Sequence, residues 1–260
     1  MVRVEAARGS TPREAGAWML VSRGAALGTI GGGQLEYMAI DAARAMLARG
    51  GEHETLDVPL GPEIGQCCGG RTLISLRRLD ARLAAGLRAE VAERVRAQPE
   101  VLVFGAGHVG RALAAALALL PLRPVLIDGR AEALGLAPAG VEARATPLPE
   151  AEVRRARPGS AFVVLTHDHA LDFLIAREAL ARGDAAYVGM IGSATKRATF
   201  TSWCRRAGGV VPDPGTLVCP IGAAGRPDKR PEVIAAFTAT EILAAFGAVA
   251  ATAPAEDIRS

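Results

Sequence analysis

The sequence predicts an α/β protein, with an N-terminal α+β module followed by a C-terminal domain built on a mainly parallel sheet. Three observations carry this. Residues 101–110 read VLVFGAGHVG: an apolar run enters Gly105-Ala106-Gly107-His108-Val109-Gly110, and helix formers follow from Arg111 to Leu117. In such a turn the first glycine permits the bend, the second lets a ligand approach the backbone, and the third lets helix and strand pack closely. Next, Asp128 ends the following apolar run, Val125-Leu126-Ile127, where a ribose-binding acid sits in units of this kind. Last, apolar runs and helix-periodic segments alternate to the end of the chain. Strand, glycine turn and helix together make a Rossmann-type βαβ unit, whose occupant is a separate question because the fold hosts many functions.

Taken in order, residues 1–8 alternate as a strand, and Gly9-Ser10-Thr11-Pro12-Arg13 is a turn broken by glycine and proline. Residues 17–22 and 27–30 are further strands. Gly31-Gly32-Gly33 then opens a helix over 34–49, with apolar Leu35, Met38, Ala39, Ala42 and Met46 on one face. This is a second strand–glycine–helix junction, able to cradle an anion with its backbone. Strands follow at 54–59 and 72–79, separated by Gly65-Gln66-Cys67-Cys68-Gly69-Gly70. A charged helix over 81–97 ends at Gln98-Pro99, which places the domain boundary there: 1–97 and 98–260. Beyond it, strands are expected near 101–104, 124–127, 142–145, 161–166 and 186–190. Helices are expected near 111–120, 150–155, 171–182 and 196–207. Pro231 opens a last helix through Phe246, a favoured first position for proline. Residues 250–260 are read as a fraying tail.

The composition bounds the function. Of 260 residues, 50% are hydrophobic and 22% charged, which suits a packed globular chain of two modest domains. Net charge is +3 with arginines spread along the chain, so nothing points to nucleic acid. No signal peptide is recognisable, and the apolar stretch 112–122 is too short for a membrane span. The four cysteines, Cys67, Cys68, Cys204 and Cys219, do not form a secreted disulfide pattern, so a cytoplasmic, reduced protein with no membrane partner is expected.

Several motifs carry chemistry, each with a plainer reading beside it. Gly105, Gly107, Gly110 and Asp128 suit a dinucleotide, or else a scaffold holding something different. His108 is a surface imidazole or a donor beside a phosphate. Thr166-His167-Asp168-His169, with Asp172, follows a predicted strand and faces the crevice of a parallel sheet. His167 and His169 are compatible with a metal, though a third ligand is not evident; Asp168 or His169 as a helix cap is the alternative. Gly192-Ser193 at a helix start, with Lys196, makes an anion clamp, or ordinary capping with a solvated lysine. Cys67 and Cys68 stand between glycines, where sulfur is approachable for a soft metal, sulfur transfer or oxidation; their plainer fate is burial as small apolar residues. Cys204 and Cys219 are read as inert, and Trp18 and Trp203 as core or interface.

Together these pieces resemble one family, the XdhC-type accessory proteins of xanthine dehydrogenase, which are molybdenum cofactor insertion chaperones. The resemblance rests on seven stretches in family order: Gly9–Arg13, Gly28–Glu36, Gly65–Gly70, Phe104–Gly110, Thr166–Asp172, Tyr187–Lys196 and Cys219-Pro220-Ile221-Gly222. It implies a cytoplasmic maturation factor without turnover of its own. Such a factor binds molybdenum cofactor (the molybdopterin form), protects it while a cysteine desulfurase installs the sulfido ligand, and delivers it to apo xanthine dehydrogenase of purine catabolism. Its partners would include molybdenum cofactor biosynthesis proteins, and the family is often a homodimer. In that role the Gly105–Gly110 or Gly31–Gly33 turn would take the cofactor's phosphate. Cys67 or Cys68 would contact molybdenum or its labile sulfur, and Arg13, His167, His169, Ser193 and Lys196 would meet polar edges. Two departures stand out. The chain starts almost inside the first family strand, where relatives usually carry a preceding helix and strand, so an open sheet edge or groove is expected. Gly225-Arg226-Pro227-Asp228-Lys229-Arg230 replaces a more usual glycine- and acid-containing run. The competing function is an NAD(P)-dependent oxidoreductase using Gly105–Gly110 and Asp128, although no hydride-transfer acid/base pair is evident. A protein-only assembly scaffold is the third.

Overall fold

The structure is a computed structural model and describes residues 1–61, 69–207, 214–223 and 228–252. It divides into two compact units, Met1–Glu90 and Val91–Ser260. The division falls inside the helix Ala81–Ala97.

In the first unit the strands are β1 (Val2–Arg8), β2 (Trp18–Val21), β3 (Ala26–Gly28), β4 (His53–Pro59) and β5 (Arg71–Arg77). They form an antiparallel sheet in the order β3-β2-β1-β5-β4. Side chains alternate across it, as strand geometry requires. Val2, Val4, Met19, Ile74 and Leu76 point to one face, where Leu35, Ala39, Ala43 and Met46 of helix α1 (Gly33–Ala48) cover them. These four lie at helical spacing; of the face expected from the sequence, Leu35, Ala39 and Met46 are buried, Ala42 is half-buried and Met38 is exposed, Ala43 taking its place. β3 ends two residues earlier than expected. Thr29 and Ile30 leave the strand, and Ile30 drops into the core at 1% exposure. Helix α2 (Ala81–Ala97) follows, with Arg3 of β1 donating to Glu90 at 2.5 Å.

The second unit holds β6 (Glu100–Phe104), β7 (Arg123–Asp128), β8 (Glu142–Ala145), β9 (Ala161–Val164), β10 (Tyr187–Met190) and β11 (Leu217–Val218). All pairs are parallel, in the order β11-β10-β9-β6-β7-β8. Read from the β8 edge, this is the 3-2-1-4-5-6 order of dinucleotide-binding sheets, which reverses direction between β6 and β9. The helices are α3 (His108–Leu117), α4 (Ala131–Leu134), α5 (Pro149–Arg155), α6 (His169–Ala181), α7 (Ala194–Arg206) and α8 (Pro231–Thr252). Both faces are covered, which is why β6 reads as an unbroken apolar run. Val101 and Val103 pack with Leu113 and Leu117 of α3 and Ala235, Ala239 and Ile242 of α8. Leu102 and Phe104 face the other way, toward Val153, Phe173, Ile175 and Phe200. Each such side chain, fully buried, contributes roughly 1.5–3 kcal/mol of transfer free energy. Trp203 joins this second face, its ring 5.7 Å from Phe173 and 6.2 Å from Phe200.

β11, α4 and a 3-10 turn at Pro214–Thr216 were not expected. β11 has two residues and α4 has four, too few to show a period. α8 runs beyond Phe246, and over Pro231–Ala248 it is long and apolar enough, by composition, to cross a membrane. In the fold one side of it instead packs on α3, and its Glu241 accepts from the Tyr187 hydroxyl at 2.7 Å.

Candidate functional site

The carboxyl ends of β6, β7, β9 and β10 converge on the point where the strand order reverses, the place where open α/β sheets bind ligands. After β6 the chain turns through Gly105 at φ +113°. A Cβ there would lie 2.3 Å from the Leu165 carbonyl oxygen, and a Cβ on Gly110 would lie 1.9 Å from the Gly105 carbonyl oxygen. The first and third glycines are thus required by packing. Gly107 is different: its φ is −70°, and a Cβ would meet nothing within 4 Å. The fold itself does not need a glycine at this position. Gly107 is also the N-cap of α3 and supplies no side-chain cap, so the helix start keeps its polarity for an incoming anion. His108 begins α3 and is exposed. Arg111 folds back, donating to the Ala106 carbonyl at 2.6 Å.

Asp128 lies where expected, at the end of β7, but its carboxylate is already engaged. One oxygen accepts from the Arg130 amide at 2.9 Å and Nε at 3.0 Å; the other accepts from the Ala106 amide at 2.8 Å and Arg130 Nη2 at 3.0 Å. Four donors fill its lone-pair sites. The expectation of a carboxylate free for a ribose diol is therefore revised: Asp128 ties the glycine turn to β7. Burial alone would push its pKa up, but the Arg130 guanidinium and the two amides outweigh that and hold it at about 2. Because the folded-state value is depressed, Asp128 adds stability above the usual carboxylate range and loses it as pH falls toward that value. With Arg130 half-exposed, the contribution is about 1–2 kcal/mol. Urea unfolding in steps between about pH 5 and about pH 2 is expected to show a steeper decline in the wild type than in Asp128→Asn. Parallel curves would remove the linkage.

The β9 and β10 ends are joined by a buried ion pair. Asp172, on α6, is fully buried; Oδ1 accepts from the Thr166 amide at 2.9 Å and hydroxyl at 2.7 Å, and Oδ2 accepts from Lys196 Nζ at 2.5 Å. Lys196 also donates to the Ile191 carbonyl at 2.9 Å. The anion-clamp expectation for Lys196 is corrected: its charge belongs to Asp172. Ser193 caps α7, accepting from the Lys196 amide at 3.2 Å. Asp168 caps α6, accepting from Ala170 and Leu171. His167 and His169 stand exposed beside it, and among the described residues no three His, Cys, Asp or Glu side chains are grouped for a metal ion. Cys219 is buried, its Sγ 3.8 Å from the Ser193 carbonyl; burial pushes its thiol up, against a downward pull from Lys196 and Arg197.

In the N-terminal unit three separate glycine-bearing segments meet. A Cβ on Gly31 would lie 2.4 Å from Pro12 Cβ and 3.2 Å from Arg13 Cγ, and one on Gly70 would lie 2.3 Å from the Ser10 carbonyl oxygen. Arg13 itself is exposed. Gly31, Gly32 and Gly33 all have positive φ, at 126°, 75° and 67°. The backbone cradle expected here differs in one respect: the chain fills it. Glu36 Oε2 accepts from the Ile30 amide at 3.0 Å, the Gly32 amide at 3.2 Å and the Thr29 hydroxyl at 2.5 Å, and the Gly31 amide donates to Thr29. The Thr29 bond and the two amides lower the Glu36 pKa against the effect of burial. Cys67 and Cys68 lie outside the described residues, directly before Gly69-Gly70. Sequence reasoning missed Glu36 and Arg130; each lies within a few residues of its target, in the local spacing of a capping carboxylate or a turn arginine.

Comparison with known proteins gives the relationships. The XdhC Rossmann domain model matches residues 101–242, and the XdhC and CoxI family model matches residues 1–58. The uncharacterized protein YqeB of Escherichia coli K12 is 27% identical over 253 residues, which are 94% of this chain and 42% of YqeB. The chain thus spans about two-fifths of the length of the curated relative it matches. A xanthine dehydrogenase crystal structure from Bacillus halodurans superposes with a TM-score of 0.74 at 18% identity, over 97% of this chain and 93% of that one, a likeness of fold. With more than half of its length matched by one model and its N-terminal segment by the other, this chain belongs to the XdhC family.

Proposed function

We propose that the chain is an accessory factor for xanthine dehydrogenase. It holds molybdenum cofactor in protected form while a cysteine desulfurase supplies the sulfido ligand, and passes it to the apo-enzyme, without turnover of its own. The observation that carries this is family membership across both units, each of which keeps a glycine-built corner. The residues suit such a ligand. Molybdopterin has a terminal phosphate, a polar pterin and a dithiolene-held metal. Of the two glycine turns, the start of α3 suits the phosphate, because Glu36 occupies the amides of the other. His108 and His167 are exposed donors beside that crevice. In the N-terminal unit, taken by itself, Arg13 beside Gly31 and Cys67 or Cys68 are the candidate contacts for a polar edge and a metal, thiolate being a suitable soft ligand. When bound, the cofactor supplies the oxidation–reduction chemistry; the chain binds, orients and shields it. The work would be done in the cytoplasm, and the partners would be apo xanthine dehydrogenase, the desulfurase, the cofactor biosynthesis proteins and a second copy of the chain.

The test is retention and transfer. Purified protein is incubated with molybdenum cofactor, passed through gel filtration, and assayed for molybdenum and pterin. About one cofactor per chain is expected, with delivery to apo xanthine dehydrogenase; Cys67→Ala and Cys68→Ala together are expected to cut retention about tenfold or more, the loss of a metal contact. No retention by the wild type would overturn the reading, and undiminished retention in the double variant would remove the thiols from it.

A further inference from the structure

We propose that the Rossmann crevice takes a ribonucleotide carrying a 2′-phosphate, a ligand of the NADP(H) class, and that Arg130 is the residue that selects it. This goes beyond the accessory role and does not depend on it.

The argument begins with topology. The sheet order places the crevice between β6 and β9, and in sheets of this order the nucleotide's phosphates lie at the helix start after the first strand. That helix start has no side-chain cap, and its N-cap glycine leaves open space that the fold does not require. The ribose then falls at the end of the second strand, here β7. In this position a free carboxylate reads a 2′-hydroxyl, whereas an arginine accommodates a 2′-phosphate.

Asp128 cannot play the first part. Both of its oxygens are filled by Ala106 and Arg130, so a ribose diol would have to break internal bonds of the glycine turn. The side chain that meets solvent is the arginine: Arg130 is 50% exposed and Asp128 only 5%. Arg130 uses Nε and Nη2 toward Asp128 in a planar clamp, which fixes the guanidinium and leaves outer N–H donors of its fork for a second anion. Asp128 is thus the support that orients the arginine, and Arg130 is the group that touches ligand.

The experiment uses the full chain without cofactor and two probes that differ by one phosphate, adenosine 2′,5′-bisphosphate and 5′-AMP, titrated by calorimetry. The bisphosphate is expected to bind at least about tenfold more tightly, the scale of a charge-assisted hydrogen-bond pair. Arg130→Gln is expected to abolish the preference for the bisphosphate over 5′-AMP. Equal affinities in the wild type, or no saturable binding of either probe, overturn the proposal without any variant. Discrimination that survives in Arg130→Gln overturns the role of that residue. Since no cofactor is present, none of these results bears on cofactor retention, and the two readings fail separately.

Discussion

Replacing Gly110 by alanine is expected to cost the C-terminal unit about 3 kcal/mol or more, at the top of the range for overpacking. The added Cβ would lie 1.9 Å from the Gly105 carbonyl oxygen and 2.9 Å from Leu165 Cδ1. A backbone atom is the nearer obstacle, and it cannot rotate away as a side-chain end does. Relief requires α3 to lift from β6, which opens the contacts of Leu113 and Leu117 with Val101 and Val103. Gly107→Ala is the matched control: it adds the same methyl group one helical turn earlier, into open space at φ −70°. It is expected to change stability by less than about 0.5 kcal/mol, while lowering affinity for whatever approaches the start of α3. Urea unfolding of both variants decides. Similar stability losses in the two would mean that the third glycine is not a packing residue.

The second large effect is expected at the buried pair. Asp172→Ala removes the partner of Lys196 Nζ together with the acceptor for the Thr166 amide and hydroxyl. Breaking one side of a buried ion pair typically costs about 3–5 kcal/mol, because the remaining charge stays without compensation. Joining it to Lys196→Met removes that charge as well and is expected to recover more than half of the loss. The thermal or chemical midpoints of the two single variants and the double variant give the coupling. A single-variant loss under about 1 kcal/mol would show that the pair does not hold α6 to α7.

Much of the fold was legible because its signals are local. β6 reads as a strand since a strand covered on both faces is apolar at every position, and Leu35, Ala39 and Met46 mark α1 by their spacing, although Met38 of the expected face is exposed. The glycine turns were legible for the same reason, Gly105 and Gly31–Gly33 taking positive φ values that glycine adopts readily. The roles of single polar residues were less so. Position placed Asp128 at the end of β7, but no pattern shows that Arg130 folds back to saturate it. Lys196 and Asp172 meet from different helices, so their pairing exists only after the sheet has brought α6 and α7 together. β11 and α4 were missed because two and four residues carry no period. Cys67 and Cys68, the most chemical feature of the sequence, lie outside the described residues.

The place of β6 has a consequence for how the crevice comes into being. It is the first strand of its sheet to leave the ribosome, yet it ends at the centre, between β7 and β9. The half made of β6, β7 and β8 can assemble first, and one side of β6 then waits as an open edge until β9 is synthesised. Such edges invite pairing with foreign chains. In that order of assembly the crevice would be the seam along which the second half closes. A small molecule bridging the loops after β6 and β9 would bind only the closed form, and by mass action would hold the seam shut. For this chain, binding at the crevice and closure of the sheet would draw on the same free energy.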